Sequence, residues 1–435
     1  MREMKDSGIE WIGKIPSDWT VSKITHILDL THPYAIGDGD HGIIKADDYT
    51  DDGIPYIRVN NLGWATELQL SNVVYITQQQ NELIKSSTLK PDDILFAKTG
   101  ATIGKTAIIP KSVAIANTTS HVGKISVSRD HCAKFFYYVL SSYIGYKQFW
   151  DFASLKTTRP ELSIDEIKQT ILISPTSYAE QKAISDHLDL KCKECDTLVI
   201  DIQSQIEALE EYKRSVITEK VTKGLDPDVE KRDSGVQWIG MMPTHWDCQR
   251  GKYILRYVQK PVRDDDGVIT CFRDGEVTLR SNRREEGFTM ADKEIGYQGI
   301  DVGDLVVHGM DGFAGAIGIS DSRGKASPVL NVLDTEQNKR YIMYYLRSMA
   351  YNDVFVALAT GIRVRSCDLR WNKLAELLYP MPPVEEQQAI VEHIDSVLER
   401  TNAIIADKKQ QIETIEEYKK SLIFEYVTGK KEVQA

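Results

Sequence analysis

The stretch DSGIEWIGKIPSDW at Asp6–Trp19 returns as DSGVQWIGMMPTHW at Asp233–Trp246. Eight of fifteen positions are identical between Asp6–Thr20 and Asp233–Asp247, where ordinary composition gives roughly one by chance. A second echo closes each half: EQKAISDHLD (Glu180–Asp189) matches EQQAIVEHID (Glu386–Asp395). Further on, IEALEEYKRSVITEKVT (Ile206–Thr222) matches IETIEEYKKSLIFEYVT (Ile412–Thr428). The first echo is offset by 227 residues and the second by 206, and the sequences in between are unlike. A frame is written twice around two different inserts.

Each closing echo reads as a long helix. Leu188, Cys192, Cys195, Val199, Ile202, Ile206 and Leu209 follow the 4-3 spacing of a coiled-coil seam, which resumes at Val216. In the second copy Ile394, Leu398, Thr401, Ile405, Lys408, Ile412, Ile415 and Leu422 hold the same places, with Thr401 and Lys408 as polar members. From Leu188 to Lys223 is 36 residues, or about 54 Å of helix. Gly224 and Pro227 stop the first helix and Gly429 stops the second. Either seam alone would leave an apolar stripe in water, so the two are expected to bury each other. The expected class is α+β: two mixed α/β lobes in pseudo-two-fold arrangement, joined by two long antiparallel coiled-coil helices, with the chain ends near one another. Trp11, Trp19, Trp238 and Trp246 are expected as packing anchors.

The chain has 435 residues, 42% hydrophobic and 27% charged, ordinary for a globular protein of several domains. No signal peptide is visible and no apolar run approaches a membrane span. Six cysteines in this length suggest no disulfide framework, so a reducing, cytoplasmic setting without a membrane partner is expected. The net charge of −11 argues against nucleic acid only if it is spread evenly, and it is not. Residues 180–230 hold 13 acidic against 7 basic residues, and 381–435 hold 11 against 7. Residues 21–174 (16 against 15) and 248–380 (18 against 19) are balanced. The acid sits on the helices and leaves the lobes neutral.

In both lobes the order is sheet, glycine hairpin, aromatic helix, basic loop. DILFAKTGATIGKTAIIP (Asp93–Pro110) and GDLVVHGMDGFAGAIGIS (Gly303–Ser320) read as the hairpins; Cys132–Phe149 and Lys339–Leu358 read as the helices. GATIGKT (Gly100–Thr106) has three residues between its glycines where a phosphate-binding loop needs four, and a β-branched run follows where a helix should. A hairpin is the better reading. Cys192 and Cys195 have metal-pair spacing, but no second pair exists and both fall on the seam, so packing is expected and no metal site is assigned. His187 and His393, at matching positions, read as capping or packing residues, and IGDGDHG (Ile36–Gly42) as turn chemistry.

Basic residues in loops suit phosphates and guanine edges. The candidates are Lys98, Thr99, Lys105, Lys156 and Arg159 in the first lobe, and Arg280, Arg283, Arg284, Arg363 and Arg365 in the second. A solvated face is the ordinary reading of any one of them. Recurrence just before each long helix distinguishes Arg159 and Arg363/Arg365.

Twin WIG…P…W segments, twin EQ(K/Q)AI helix starts, twin EEYK(R/K)S stretches and a glycine hairpin in each lobe, in doubled order across essentially the whole chain, resemble the specificity subunit of Type I restriction–modification systems. The resemblance implies two target-recognition domains, each reading half of a split sequence in double-stranded DNA, with the paired helices setting the unread spacer. The frame would bind two methyltransferase subunits, with restriction subunits joining; Glu180, Gln181, Glu386, Gln387, Tyr212 and Tyr418 are the frame candidates. No amino-methyltransferase, helicase or nuclease motif is found, so no catalytic residue is assigned. No cofactor is expected on this chain: S-adenosylmethionine and ATP with Mg would sit on the partners. The expected divisions are 1–20, a first lobe at 21–174, a central frame at 175–230, 231–247, a second lobe at 248–379, and a final frame at 380–435. A duplicated coiled-coil scaffold that pairs two proteins without reading DNA is the alternative, and an ATP-binding enzyme using Gly100–Thr106 a third class.

Overall fold

The computed structural model describes residues 2–155, 160–283, 295–358 and 369–433. The chain folds as two compact units, Met1–Asp201 with Gln410–Ala435, and Ile202–Lys409. Each unit therefore takes the start of one long helix and the end of the other.

The first unit opens on a two-stranded antiparallel ribbon, Met4–Asp6 with Lys14–Pro16. Thr20–Lys23 pairs antiparallel with Ile171–Ser174, so the lobe's entry and exit strands are stitched together before the helix begins. Inside the lobe, Ile36–Asp38, Val122–Ile125, Ile94–Ala97 and Thr106–Ile108 form a four-stranded antiparallel sheet in that order. Ile94–Ala97 is buried at every position, as a central strand covered on both faces must be. A three-stranded sheet of Val74–Ile76, Ile54–Ile57 and Asn117–Thr118 completes it. The aromatic segment is two helices, Ala133–Ser141 and Tyr143–Ser154, where the sequence suggested one. Ser142 makes the break: its backbone is extended and its Oγ accepts from Ile144 N at 3.1 Å, capping the second helix.

The second unit repeats this plan with other residues. Its ribbon is Lys231–Asp233 with Met241–Pro243, and its entry and exit strands are Asp247–Arg250 and Leu378–Met381. Arg256–Tyr257, Leu330–Asp334, Leu305–His308 and Ile317–Ile319 form its sheet in the same order of edge, centre, centre, edge. In both sheets an aspartate primes the central hairpin: Asp93 accepts from Lys90 N at 2.9 Å and Asp304 from Asp301 N at 2.8 Å. Two hairpins, Ile269–Cys271 with Val277–Leu279 and Gln298–Ile300 with Gly324–Ala326, stand where the first lobe has its second sheet. The aromatic helix Lys339–Tyr351 is again followed by a separate short one, Val354–Ala357.

The long helices run Tyr178–Lys223 (46 residues) and Val384–Val427 (44 residues). Each is about 66–69 Å long at 1.5 Å per residue, and the first starts ten residues ahead of the apolar seam read from Leu188. They pack antiparallel within both units. In the first, the His187 ring lies 4.6 Å from that of Tyr426 and Lys419 Nζ bonds Asp196 at 2.6 Å. In the second, Lys408 bonds Gln205, and Ile217 and Val221 share a core with Ile390, Val391 and Ile394. Leu188, Cys192, Cys195, Ile202, Ile206 and Val216 are buried along the seam. Buried Thr401 turns its hydroxyl onto Val397 O at 2.7 Å, so its polarity is satisfied inside its own helix.

Each helix ends in a left-handed glycine pressed against a buried tryptophan. Gly224 (φ 75°) leaves 3.2 Å between a would-be Cβ and the Trp246 ring; Gly429 (φ 67°) leaves 3.2 Å to Trp19 and 2.4 Å to Pro16. A side chain at Gly429 would overlap Pro16, and one at Gly224 would be strained by its positive φ and press on Trp246. The twin quoted segments thus anchor the helix ends through Trp19 and Trp246, each at most 1% exposed. Trp11 and Trp238 pack at the margins of the same cores.

Candidate nucleic-acid interface and its frame

Each lobe is fixed to a long helix by the same set of contacts. Glu180 accepts from Trp19 Nε1 at 3.2 Å and pairs with Arg2; Glu386 accepts from Trp246 Nε1 at 3.1 Å and pairs with His245 at 2.9 Å. Gln181 and Gln387 are buried, and each reaches both ways. Gln181 accepts from Cys132 N and donates to Pro175 O, both at 2.9 Å. Gln387 accepts from Asn338 N at 3.0 Å and donates to Pro382 O at 2.9 Å. Two turns on, Asp189 receives Tyr138 and Lys134, and Asp395 receives Tyr344 and Arg340. Burial pushes the Tyr138 hydroxyl's pKa up, and Tyr344's to about 12, so both remain donors.

The long-helix residues of these clamps and their partners at the aromatic helices (Cys132/Asn338, Lys134/Arg340, Tyr138/Tyr344) recur at the same offset of 206, so the repeat reaches back into the aromatic helices. Sequence reading stopped it at Glu180. The signal was present at the same offset in Lys134/Arg340, Tyr138/Tyr344, Leu140/Leu346 and Ser142/Ser348, diluted by unlike neighbours. Of the six frame candidates, Glu180, Gln181, Glu386 and Gln387 have their side chains engaged within the chain, whereas Tyr212 and Tyr418 are about half exposed.

The hairpins lie beside the segments that leave the basic loops. In the first lobe Gly100 N donates to Pro160 O and Leu162 N to Lys98 O, both at 2.9 Å. In the second, Leu369 N donates to Gly309 O at 2.8 Å, and Asn331 Nδ2 holds Leu369 O at 3.1 Å. Gly100–Thr102 is a single 3-10 turn followed by the strand Thr106–Ile108, the hairpin rather than a phosphate loop.

The candidate DNA residues divide into three groups. Lys156, Arg159, Arg284, Arg363 and Arg365 lie outside the described residues. Others are engaged. Lys98 is 4% exposed, paired with Asp38 and 3.9 Å from Glu161, so its charge is spent inside the lobe. Thr99 is buried with its hydroxyl 3.4 Å from His121 Nδ1, and Arg280 Nε donates to Thr270 Oγ1 at 3.2 Å. Exposed Arg283 lies 4.2 Å over the Phe272 ring and pairs with Asp274 (2.8 Å) and Glu276 (3.0 Å). Lys105 alone stands half-buried at a hairpin with no carboxylate partner among the described residues.

The first unit also holds a cleft of 2820 Å³ between its lobe and the helices, lined among others by Trp64, Tyr137, Tyr146, Lys134, Asp189 and Lys420. Its lining carries eight Lys and Arg against eight Asp and Glu. Such balance gives a polyanion no net attraction. Cys192, at the cleft's edge, is buried on the helix seam, and that burial pushes its thiol pKa up to about 11.

A sequence model of the family described as "Type I restriction modification DNA specificity domain" matches residues 16–208. Over 431 residues the chain is 21% identical to the putative type I restriction enzyme MjaX specificity subunit of Methanocaldococcus jannaschii, covering 96% of this chain and 95% of that protein. Over 205 residues it is 24% identical to the type I restriction enzyme EcoBI specificity subunit of Escherichia coli, covering 47% of this chain and 41% of that one. A solved chain described under "Structural basis underlying complex assembly and conformational transition of the type I R-M system" superposes with a TM-score of 0.66 at 12% identity, over 95% of this chain and 98% of that one, a likeness of fold. Residues 16–208 thus match the Type I restriction modification DNA specificity domain, the chain is similar over nearly its whole length to a specificity subunit, and it shares the fold of the solved type I R-M chain.

Proposed function

We propose that this chain reads DNA for a Type I restriction–modification complex, each lobe recognising one half of a split site and the paired helices fixing the spacer. The observation that carries the reading is the doubled frame around unlike lobes: identical clamps at Glu180/Glu386, Gln181/Gln387 and Asp189/Asp395 hold two different surfaces. A frame repeated this closely offers two equivalent docking places to one kind of partner, and we assign these to two methyltransferase subunits. Matched, half-exposed apolar side chains support that assignment. Tyr178 and Val384, Leu198 and Ile404, and Tyr212 and Tyr418 each sit 206 residues apart on the helices.

Restriction subunits join the same assembly in this reading, and S-adenosylmethionine and ATP with Mg belong to the partners. The chain positions and does not catalyse, and it works in the cytoplasm. Among the described residues no helix is long and apolar enough to cross a membrane. The likenesses to the specificity domain and to specificity subunits favour DNA reading over a scaffold that merely pairs proteins. Methylome sequencing with the gene present and deleted tests the proposal. A bipartite methylated motif should vanish on deletion; an unchanged methylome would sink the reading.

A further inference from the structure

In the second unit, two guanidinium groups share one ring: Arg214, on the long helix, lies 5.5 Å from the Tyr351 centroid, and Arg347 lies 5.7 Å from it. Arg347 is held by its own bonds, Nε to Tyr351 Oη at 2.8 Å and Nη2 to Asp274 O at 2.6 Å. The Asp274–Gly275 turn is built around it, since a Cβ on Gly275 would fall 2.3 Å from Arg347 Nη1. Asp274 turns its carboxylate the other way, to Arg283. Three nearby acids are taken: Asp311 by Arg273, Glu276 by Arg283, and Glu210, one turn earlier on the helix, by Lys213; Glu211, also on that turn, makes no ion pair with Arg214. Among the described residues neither Arg214 nor Arg347 has a carboxylate partner, and Arg214 is exposed.

Two cations on one ring repel each other and lose part of their hydration to it, and only an anion offsets both costs. A guanidinium fork suits a phosphate oxygen pair in particular. A contact path runs from Arg214 through Tyr351, Arg347 and Asp274 to Arg283, a candidate DNA residue of the lobe. We infer that Arg214, backed by Tyr351 and Arg347, is a clamp for a DNA backbone phosphate, so that the frame helix grips the duplex beside the second lobe without reading its sequence. The inference rests on the DNA-reading function proposed above.

The test uses the full chain assembled with its methyltransferase subunits, on a duplex carrying its methylated motif and on a random duplex, with affinity followed between about 50 and 200 mM salt. Arg214→Ala should make the log–log salt slope shallower by about 0.9, one phosphate's share. The loss should be equal on both duplexes, with the melting temperature unchanged, and Arg214→Lys should restore the slope. An unchanged slope in a complex whose wild type still prefers its motif overturns the clamp alone. A loss confined to the cognate duplex also overturns it, because Arg214 would then read bases. A wild-type complex with no preference between the duplexes removes the DNA-reading function and the clamp together.

Discussion

Gln387 shows how one side chain carries the frame. It is fully buried and satisfies two main-chain groups, Asn338 N at the start of an aromatic helix and Pro382 O before the long one. Truncation strands both groups away from water, at about 1–3 kcal/mol for a buried unsatisfied group. Gln387→Ala is therefore expected to destabilise the protein by that order. Gln388→Ala, one position along and exposed, should stay within about 0.5 kcal/mol of wild type. Urea unfolding of both variants decides; equal midpoints would mean that Gln387 is not the joint described here. The sequence marked Gln181 and Gln387 by repetition but could not tell an inward glutamine from an outward one, because recurrence records constraint without its direction. The same blindness put Lys98 among DNA candidates: a lysine in a glycine hairpin looks exposed until Asp38, sixty residues earlier, is seen beside it.

At the scale of the helices, periodicity made the seam legible almost residue by residue, since 4-3 spacing depends only on local geometry. The helix starts were less legible. The seam reads from Leu188, but the helix begins at Tyr178: the 4-3 register continues back through Ser185 and Gln181, which are polar yet buried with Ile184 against the lobe, so no apolar stripe marks that stretch. Lys419 tests the seam's energetics. It occupies a seam position, its side chain is 8% exposed, and it bonds Asp196 on the opposing helix, whose side chain is 43% exposed. Withdrawing a lysine from water costs more than a half-exposed partner returns, whereas leaving it unpaired costs more still. Lys419→Met should hold or raise the melting temperature, while Asp196→Ala should lower it. The reverse order would show that the pair stabilises the helices on balance.

At the scale of the whole chain, the doubled frame was legible because repetition needs no structure to be seen. The way the compact units use it was not. The units are not the two halves of the sequence: Leu422, Ile423, Tyr426 and Val427 complete the core that Trp19 and Phe135 begin, and Ile217 and Val221 lie in the core of Trp246 and Tyr341. Each half of the chain thus supplies a helix end to the other half's core. The connection between the first helix and the second frame segment passes through Asp226, Pro227 and Asp228, all exposed. A protease site inserted there should be cut readily. The two fragments, residues 1–227 and 228–435, should then co-elute on size exclusion as one species, held by the helix ends exchanged between their cores rather than by the peptide bond. Fragments that separate in native buffer would show that the exchanged helix ends do not hold the cores together, and the division of the chain into these two units would have to be abandoned.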